Sequence, residues 1–442
     1  MSRQHARSSK SLIIAVIAII LIVAIAFCVL YFAFPSTWNQ IKDGIFGEVN
    51  TDNVQGGDSD DDSTTSNPNS GAQNGGSSSN LPSLELGEGE LRVHFINVGQ
   101  GDCIYIQFPD EDKTDMLIDC GNKSTGYDYN KTKKYLSDLN PDGKINHLML
   151  THCDEDHVDN MDEIIYDFEI ENIYMPNVLA EPKKSNGEPI VALQEQIDNL
   201  NAEKLALFTD EDTITSQTYA RFFIAALTEE NCTIHLNMDK DESTNSIIIT
   251  DTTFRLTFYC PTEEYYATTK LNTAHQKNAI SPIGILEYNN RRVVFTGDSN
   301  EDKGSEQTFV RRINGELDCD VLKVGHHGSE TSSSDKFLDA VKCEYAVISC
   351  NKNGNTFIHP RQATLDRLAA RNMTVYRTDT NGTIVLTIDS ESNLNFAMET
   401  EVEQAVNLIG ADNETAKTQA QFSNDSQIEL LFAVTAAVSH MF

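Results

Sequence analysis

The chain has 442 residues, with 33 Lys and Arg against 67 Asp and Glu and a formal net charge of −34. That balance excludes a protein that grips nucleic acid along a broad basic stripe, while the length leaves room for one sizeable catalytic domain plus accessories. Nine cysteines occur without any Cys-x-x-Cys spacing; Cys103, Cys120 and Cys350 lie in strand-like apolar runs and are expected as small buried side chains.

Residues 1–10 form a basic tip carrying Arg3, Arg7 and Lys10. The stretch 11–34 that follows is apolar and long enough to cross a bilayer as a helix. Only Lys42 follows it closely, so the charge bias predicts a single-pass protein in the cell membrane, with a cytoplasmic amino terminus and everything after the span outside. Phe32-Ala33-Phe34-Pro35 is a poor cleavage site, which argues against a removed signal peptide. Residues 35–90 read as a low-complexity acidic tether rich in Ser, Gly, Asn and Asp. Such a composition buries too little apolar surface to offset the entropy of ordering, so a disordered linker is expected. The cluster Asp58, Asp60, Asp61 and Asp62 reads as part of that solvated linker rather than a calcium site.

From 91 to 399 the pattern becomes that of a folded domain. Strands are predicted at 91–97, 103–108 and 115–119, a helix at 129–139 stopped by Asn140-Pro141, and a strand at 146–150. A helix at 159–166 and a strand at 170–175 follow. Residues 176–253 look like an insertion with helical spacing at 191–207 and 217–227, either a lid over a cleft or an ornament. Later strands are expected at 254–259, 283–288, 292–296, 321–324, 345–349, 375–377 and 383–388, with helices at 335–341 and 361–371 between them and a hairpin turn around Asp379. The tail 400–442 is polar and ends in a short apolar stretch, with no role legible.

The chemistry concentrates in Thr151-His152-Cys153-Asp154-Glu155-Asp156-His157, directly after the predicted strand 146–150. Four potential metal ligands fall within six residues at a carboxyl strand edge. Imidazoles and carboxylates suit zinc, manganese or iron, and a site short of protein ligands keeps a water to activate. Cys153 should point away from such a site and pack.

Further motifs are spaced along the chain: Val98-Gly99-Gln100-Gly101-Asp102, Asp119-Cys120-Gly121, Phe295-Thr296-Gly297-Asp298, Gly325-His326-His327-Gly328-Ser329 and His359-Pro360. Taken in order, this set resembles the metallo-β-lactamase fold, in the branch found as the soluble domain of ComEC-type DNA-uptake proteins, over about 91–390. The resemblance implies an α/β domain, a four-layer αββα sandwich, preceded by the transmembrane helix and linker. In the wider superfamily the first motif reads H-x-H-x-D-H; Asp154 stands here where the second histidine would be, as in the ComEC-like branch.

By the same resemblance, His152 and Asp154 would bind one metal, and Asp156 and His157 the other, with Asp298 bridging and a histidine from His326-His327 completing the second site. One or two divalent ions are implied, with zinc expected and manganese an option. Asp156 and His359 are the catalytic candidates. Asn278, Ser281, Ser329 and His359 are candidates for contact with substrate, the first two because Asn278-Ala279-Ile280-Ser281 resembles the Asn-x-x-Ser stretch of the ComEC-like branch. No histidine stands in that stretch, so the first metal position lacks its usual extra ligand. Asp119 is expected to support the site from beneath, and His94 and His147 to be structural. The implied activity is hydrolysis of a phosphodiester, nucleic acid included. The alternatives are hydrolysis of a lactone, amide or phosphorylcholine-type ester by the same centre, and a non-catalytic surface binding protein with a degenerate metal site. No protein partner can be inferred; the membrane is met only through the amino-terminal helix.

Overall fold

Many of the central strands are apolar on both faces, and the structure covers both, packing two sheets against each other with helices on their outer sides. The structure, a computed structural model, describes residues 81–121, 123, 127–210, 212–301, 305–351 and 358–412. The expected membrane helix at 11–34, most of the tether and the end of the tail lie outside these residues. Among the described residues no helix is long and apolar enough to cross a membrane.

In chain order the strands are β1 (Leu91–Phe95), β2 (Ile104–Gln107), β3 (Asp115–Ile118), β4 (Lys144–Met149), β5 (Glu169–Met175), β6 (Leu179–Glu181), β7 (Thr213–Thr215), β8 (Thr233–Leu236), β9 (Ile247–Thr250), β10 (Phe254–Tyr259), β11 (Ile283–Tyr288), β12 (Arg291–Phe295), β13 (Val321–Lys323), β14 (Tyr345–Ile348), β15 (Thr374–Arg377), β16 (Ile384–Ile388) and β17 (Leu394–Met398). The first sheet runs β17-β16-β1-β2-β3-β4-β5-β8 and the second β15-β14-β13-β12-β11-β10-β9. Each is antiparallel on one side and parallel on the other: β3, β4, β5 and β8 run together, as do β12, β13, β14 and β15. Parallel neighbours put several carboxyl strand ends at one edge, where crevices form in open α/β sheets.

Between the sheets, Val93, Phe95, Ile106, Met116 and Met149 meet Leu256, Leu286, Val293, Phe295 and Val347 in one core. The other face of the first sheet, with Tyr105, Leu117, Leu148 and Ile173, packs on residues of the helices Met161–Asp167 and Gln217–Thr228. The other face of the second sheet, with Ile285, Val294, Leu322 and Ala346, packs on Phe309, Phe337, Leu338, Leu365 and Leu368, which stand on the helices Glu306–Ile313, Asp335–Val341 and Gln362–Ala370. Helix, sheet, sheet and helix therefore stack as the expected four layers.

Three segments differ from the sequence reading. Residues 176–253 supply β8 to the first sheet and β9 to the second, and Tyr219, Phe222 and Phe223 of the helix Gln217–Thr228 are fully buried. Much of this stretch is thus built into the body of the domain. Asp379 does not sit in a hairpin: Thr378–Asn381 is a helical turn carrying the chain from β15 in one sheet to β16 in the other. The buried Arg377 guanidinium holds it there through a double hydrogen bond to the Asp379 carboxylate. The run beginning at Asp154 also starts a helix directly, Glu155–Val158, ahead of the helix expected at 159–166.

Candidate metal centre

The site gathers where β3, β4, β12, β13 and β14 end. Asp119 follows β3 in a left-handed conformation (φ 57°). Its carboxylate accepts the Thr151 N–H (2.8 Å), the Thr151 hydroxyl (2.7 Å) and His157 Nδ1–H (2.7 Å). The loop after β4 and the first imidazole are therefore fixed by one buried group. On the other sheet, β12 runs into Gly297-Asp298 and β13 into His326-His327. Both histidines sit at positive φ (49° and 55°), a conformation that costs about 1–3 kcal/mol each for such residues and accumulates at functional sites. The turn is held by His326 N–H to the Gly297 carbonyl, 3.1 Å, and by His327 Nδ1–H to the Ser349 carbonyl after β14, 2.8 Å.

Four donor atoms converge there. His157 Nε2 lies 3.2 Å from His327 Nε2 and 3.2 Å from Asp298 Oδ1; His327 Nε2 lies 3.4 Å from Asp298 Oδ1 and 3.1 Å from Asp156 Oδ2. The edge of a tetrahedron built on metal–ligand bonds of about 2.0–2.1 Å is about 3.3–3.4 Å, so these spacings fit one ion. The nitrogen chemistry agrees. Each imidazole spends its Nδ1–H on a fixed acceptor, so both Nε2 atoms turn towards each other and towards the Asp298 and Asp156 carboxylates, where they share a proton or a metal ion. Burial opposes charge on His157, but the Asp298 and Asp119 carboxylates outweigh it and hold its pKa well above the ordinary histidine value. His327 is raised in the same way, against burial, chiefly by Asp298 and a hydrogen bond with Asp156. Against the same penalty of burial, His327 and His157 hold Asp298 well below the usual carboxylate range, and a hydrogen bond from His327 lowers Asp156. The cluster is thus a ready cation site.

Next to it, His152 Nε2 is buried without a hydrogen-bond partner, 3.7 Å from Asp298 Oδ2 and 3.9 Å from Asp154 Oδ2. Burial and the neighbouring His157 lower the His152 pKa, leaving a neutral ring with a lone pair to give. This second group is wider, and Asp154 has other company: Lys277 Nζ stands 3.1 Å from its Oδ1.

Of the remaining candidates, His327 rather than His326 joins Asp156 and His157. The His326 ring packs against His359 (centroids 5.1 Å apart), with Nε2 3.6 Å from Asp298 Oδ2 and within 3.3 Å of the Asn278 carboxamide. His359 is buried, and burial together with the adjacent His327 and His326 brings its pKa down to about 3, so it is neutral at pH 7. Ser281 is buried beneath the bridge position, where its hydroxyl accepts the Asp298 N–H at 3.2 Å. Ser329 is buried and its hydroxyl pairs with that of Thr331, 3.1 Å away.

The sequence reading passed over Lys277, Lys323 and the depth of Asp102. Asp102 and Lys323 form a fully buried ion pair of 2.8 Å under His327. Asp102 closes the motif Val98-Gly99-Gln100-Gly101-Asp102. A lysine closing the apolar run Val321-Leu322-Lys323 carries the signal, since an interior strand tolerates an ammonium only beside a partner.

Two sheets between helical layers, with histidines and aspartates gathered at their shared edge, make this a four-layer α/β sandwich that carries a candidate metal centre. In sequence the chain is similar to ComE operon protein 3 of Bacillus subtilis (strain 168), 26% identical over 310 residues that make up 67% of this chain and 33% of that protein. It is also similar to competence protein ComA of Neisseria gonorrhoeae, 41% identical over 92 residues (21% of this chain, 13% of the relative), and to recombination protein 2 of Haemophilus influenzae, 33% identical over 107 residues (24% and 13%). The resemblance to ComEC-type competence proteins thus holds, while the chain spans a third or less of each relative's length. No family model matches it. Among solved structures, the metallo-β-lactamase fold protein YhfI of Bacillus subtilis aligns with a TM-score of 0.36 at 11% identity, over 67% of this chain and 99% of that one. Zinc-bound PqqB of Methylobacterium extorquens aligns at 0.34 and 11%, over 65% and 97%.

Proposed function

We propose that this chain is a metal-dependent phosphodiesterase, anchored in the membrane by a helix at 11–34 with its catalytic domain outside. The observation that carries the metal is the 3.1–3.4 Å spacing that links Asp156, His327, His157 and Asp298, with two imidazole Nε2 atoms turned to the carboxylates. A divalent ion held there lowers the pKa of a bound water and polarises a phosphoryl oxygen. Asp119 and the Ser349 carbonyl keep the tautomers that aim both Nε2 atoms inward. His359, neutral and packed against His326, offers a ring hydrogen bond to the leaving oxygen. The competence proteins among the relatives favour a nucleic-acid substrate. The net charge of −34 favours a short or single-stranded one over a long duplex held by its backbone.

The test is hydrolysis of bis-p-nitrophenyl phosphate and of single-stranded DNA by the full chain, alongside an Asp156→Ala, His157→Ala variant. Metal-dependent cleavage that the variant loses is the expected result. Bound metal with neither substrate cut would move the reading to ester or lactone chemistry, and a chain that binds no metal would end the hydrolase reading.

A further inference from the structure

Resting on that metal-centre reading, we infer that the chain holds a single divalent ion and that the ammonium of Lys277 supplies the positive charge at Asp154 in place of a second one. The two halves of the site are not equivalent. On the His157 side the donors face one another at 3.1–3.4 Å. On the His152 side the spacings open to 3.7 and 3.9 Å, and the Asp154 carboxylate is already engaged at both oxygens. Lys277 Nζ donates to Oδ1 at 3.1 Å. The Asn278 carboxamide, oriented so that both its ends are satisfied, donates from its NH2 to Oδ2 at 3.2 Å and accepts from His326 Nε2–H at 3.3 Å.

Lys277 and Asn278 stand together at the end of the helix Ala274–Asn278, whose N-cap Thr273 fixes its start by accepting the Gln276 N–H. The helix therefore delivers an ammonium and an amide to the place where a further imidazole is missing. Lys277 and Asp154 are both half-buried, so the ammonium is only partly screened and repels a divalent ion entering between His152 and Asp154. His152 remains a lone pair beside the occupied position, placed to accept a hydrogen bond from a water or a substrate hydroxyl.

The test is metal stoichiometry of the full chain, saturated with Zn2+ or Mn2+, desalted and read by elemental mass spectrometry, with titration calorimetry for affinity. The expected result is one ion per chain in the wild type and in Lys277→Arg. Lys277→Met, which keeps the length and removes the charge, should take a second ion roughly tenfold or more tighter than the wild type does. Two ions of similar affinity in the wild type would overturn the inference while leaving the hydrolase reading intact. So would a Lys277→Met variant indistinguishable from the wild type. No ion at all would overturn both. Near-ultraviolet circular dichroism of each variant separates a lost site from a lost fold.

Discussion

Lys323 Nζ lies 2.8 Å from Asp102 Oδ2, with both side chains fully buried between the sheets. The ammonium also donates to the Val324 carbonyl at 2.9 Å, and the other Asp102 oxygen lies 3.6 Å from His327 Nδ1. The pair forms a floor under the strained histidine turn, with the Asp102 carboxylate turned towards His327. Removing one partner strands a charge in the interior. Lys323→Met is therefore expected to lower stability by about 3–5 kcal/mol, with much of the loss recovered in Lys323→Met combined with Asp102→Asn. Urea unfolding of the four chains in a double-mutant cycle measures this; strictly additive effects would show that the two residues act apart.

The sequence made some of this legible and hid the rest for physical reasons. The helix Tyr129–Leu139 was readable to the residue, because Asp128 caps its start and Asn140-Pro141 stops it. The donors around His157 were readable because short-range spacing brings Asp156 and His157 together whatever the fold. Which of His326 and His327 turns inward was not, since both adopt a left-handed backbone that only the turn between β13 and Ser329 imposes. Lys323 needed its partner Asp102, far away in the chain, in the loop between β1 and β2 of the other sheet. The helix Glu155–Val158 had a signal that went unused: Asp154 at the N-cap, with Glu155 and Asp156 in the first turn. β8, Thr-Ile-His-Leu, lacks a continuous apolar run because it is an edge strand half open to solvent, whereas the run Ile247-Ile248-Ile249 of β9 was a legible signal.

Asp119 links the loop after β4 to His157, and its substitution separates orientation from ligation. Asp119→Asn keeps the size and tolerates the positive φ, but it replaces the carboxylate that takes His157 Nδ1–H and two bonds from Thr151. Metal affinity is expected to fall by about 10–100-fold, read by competition with a chromogenic chelator. An unchanged affinity would show that His157 is aimed by packing alone.

His94 predicts a pH dependence independent of the metal. The ring is buried with Nδ1 2.8 Å from the Tyr135 hydroxyl and Nε2 3.0 Å from the Gln107 side-chain oxygen Oε1, and burial brings its pKa from 6.5 down to about 4. Between those values the unfolded chain binds the proton and the folded chain does not. The contribution of His94 is thus complete above 6.5 and lost as pH falls towards about 4. Asp115 and Glu306, raised by burial to about 6 and about 7, act in the opposite sense, so the net slope is not diagnostic. The comparison is: unfolding free energy of His94→Gln should fall less steeply over that window than that of the wild type, and equal slopes would mean that His94 is not held neutral.

Gly101 ties the first loop to the metal motif. Its backbone is at φ 132°, and a Cβ there would run into the Asp156 carbonyl oxygen, the same atom that accepts the Asp102 N–H at 3.3 Å. Alanine at this position must push the start of the helix Glu155–Val158 away, carrying Asp156 and His157 with it. Gly143 provides the control, because its φ of 73° is also left-handed but no atom lies within 4 Å of where its Cβ would be. Gly143→Ala should lose only the roughly 1–2 kcal/mol of a left-handed alanine and keep its stabilisation by metal. In Gly101→Ala the rise in melting temperature on adding Zn2+ should shrink or vanish, because an ion that binds the native state weakly stabilises it little. Thermal unfolding of the three chains with and without the ion distinguishes the two glycines. Equal metal-induced shifts in both variants would mean that the close approach at Gly101 does not position the donors.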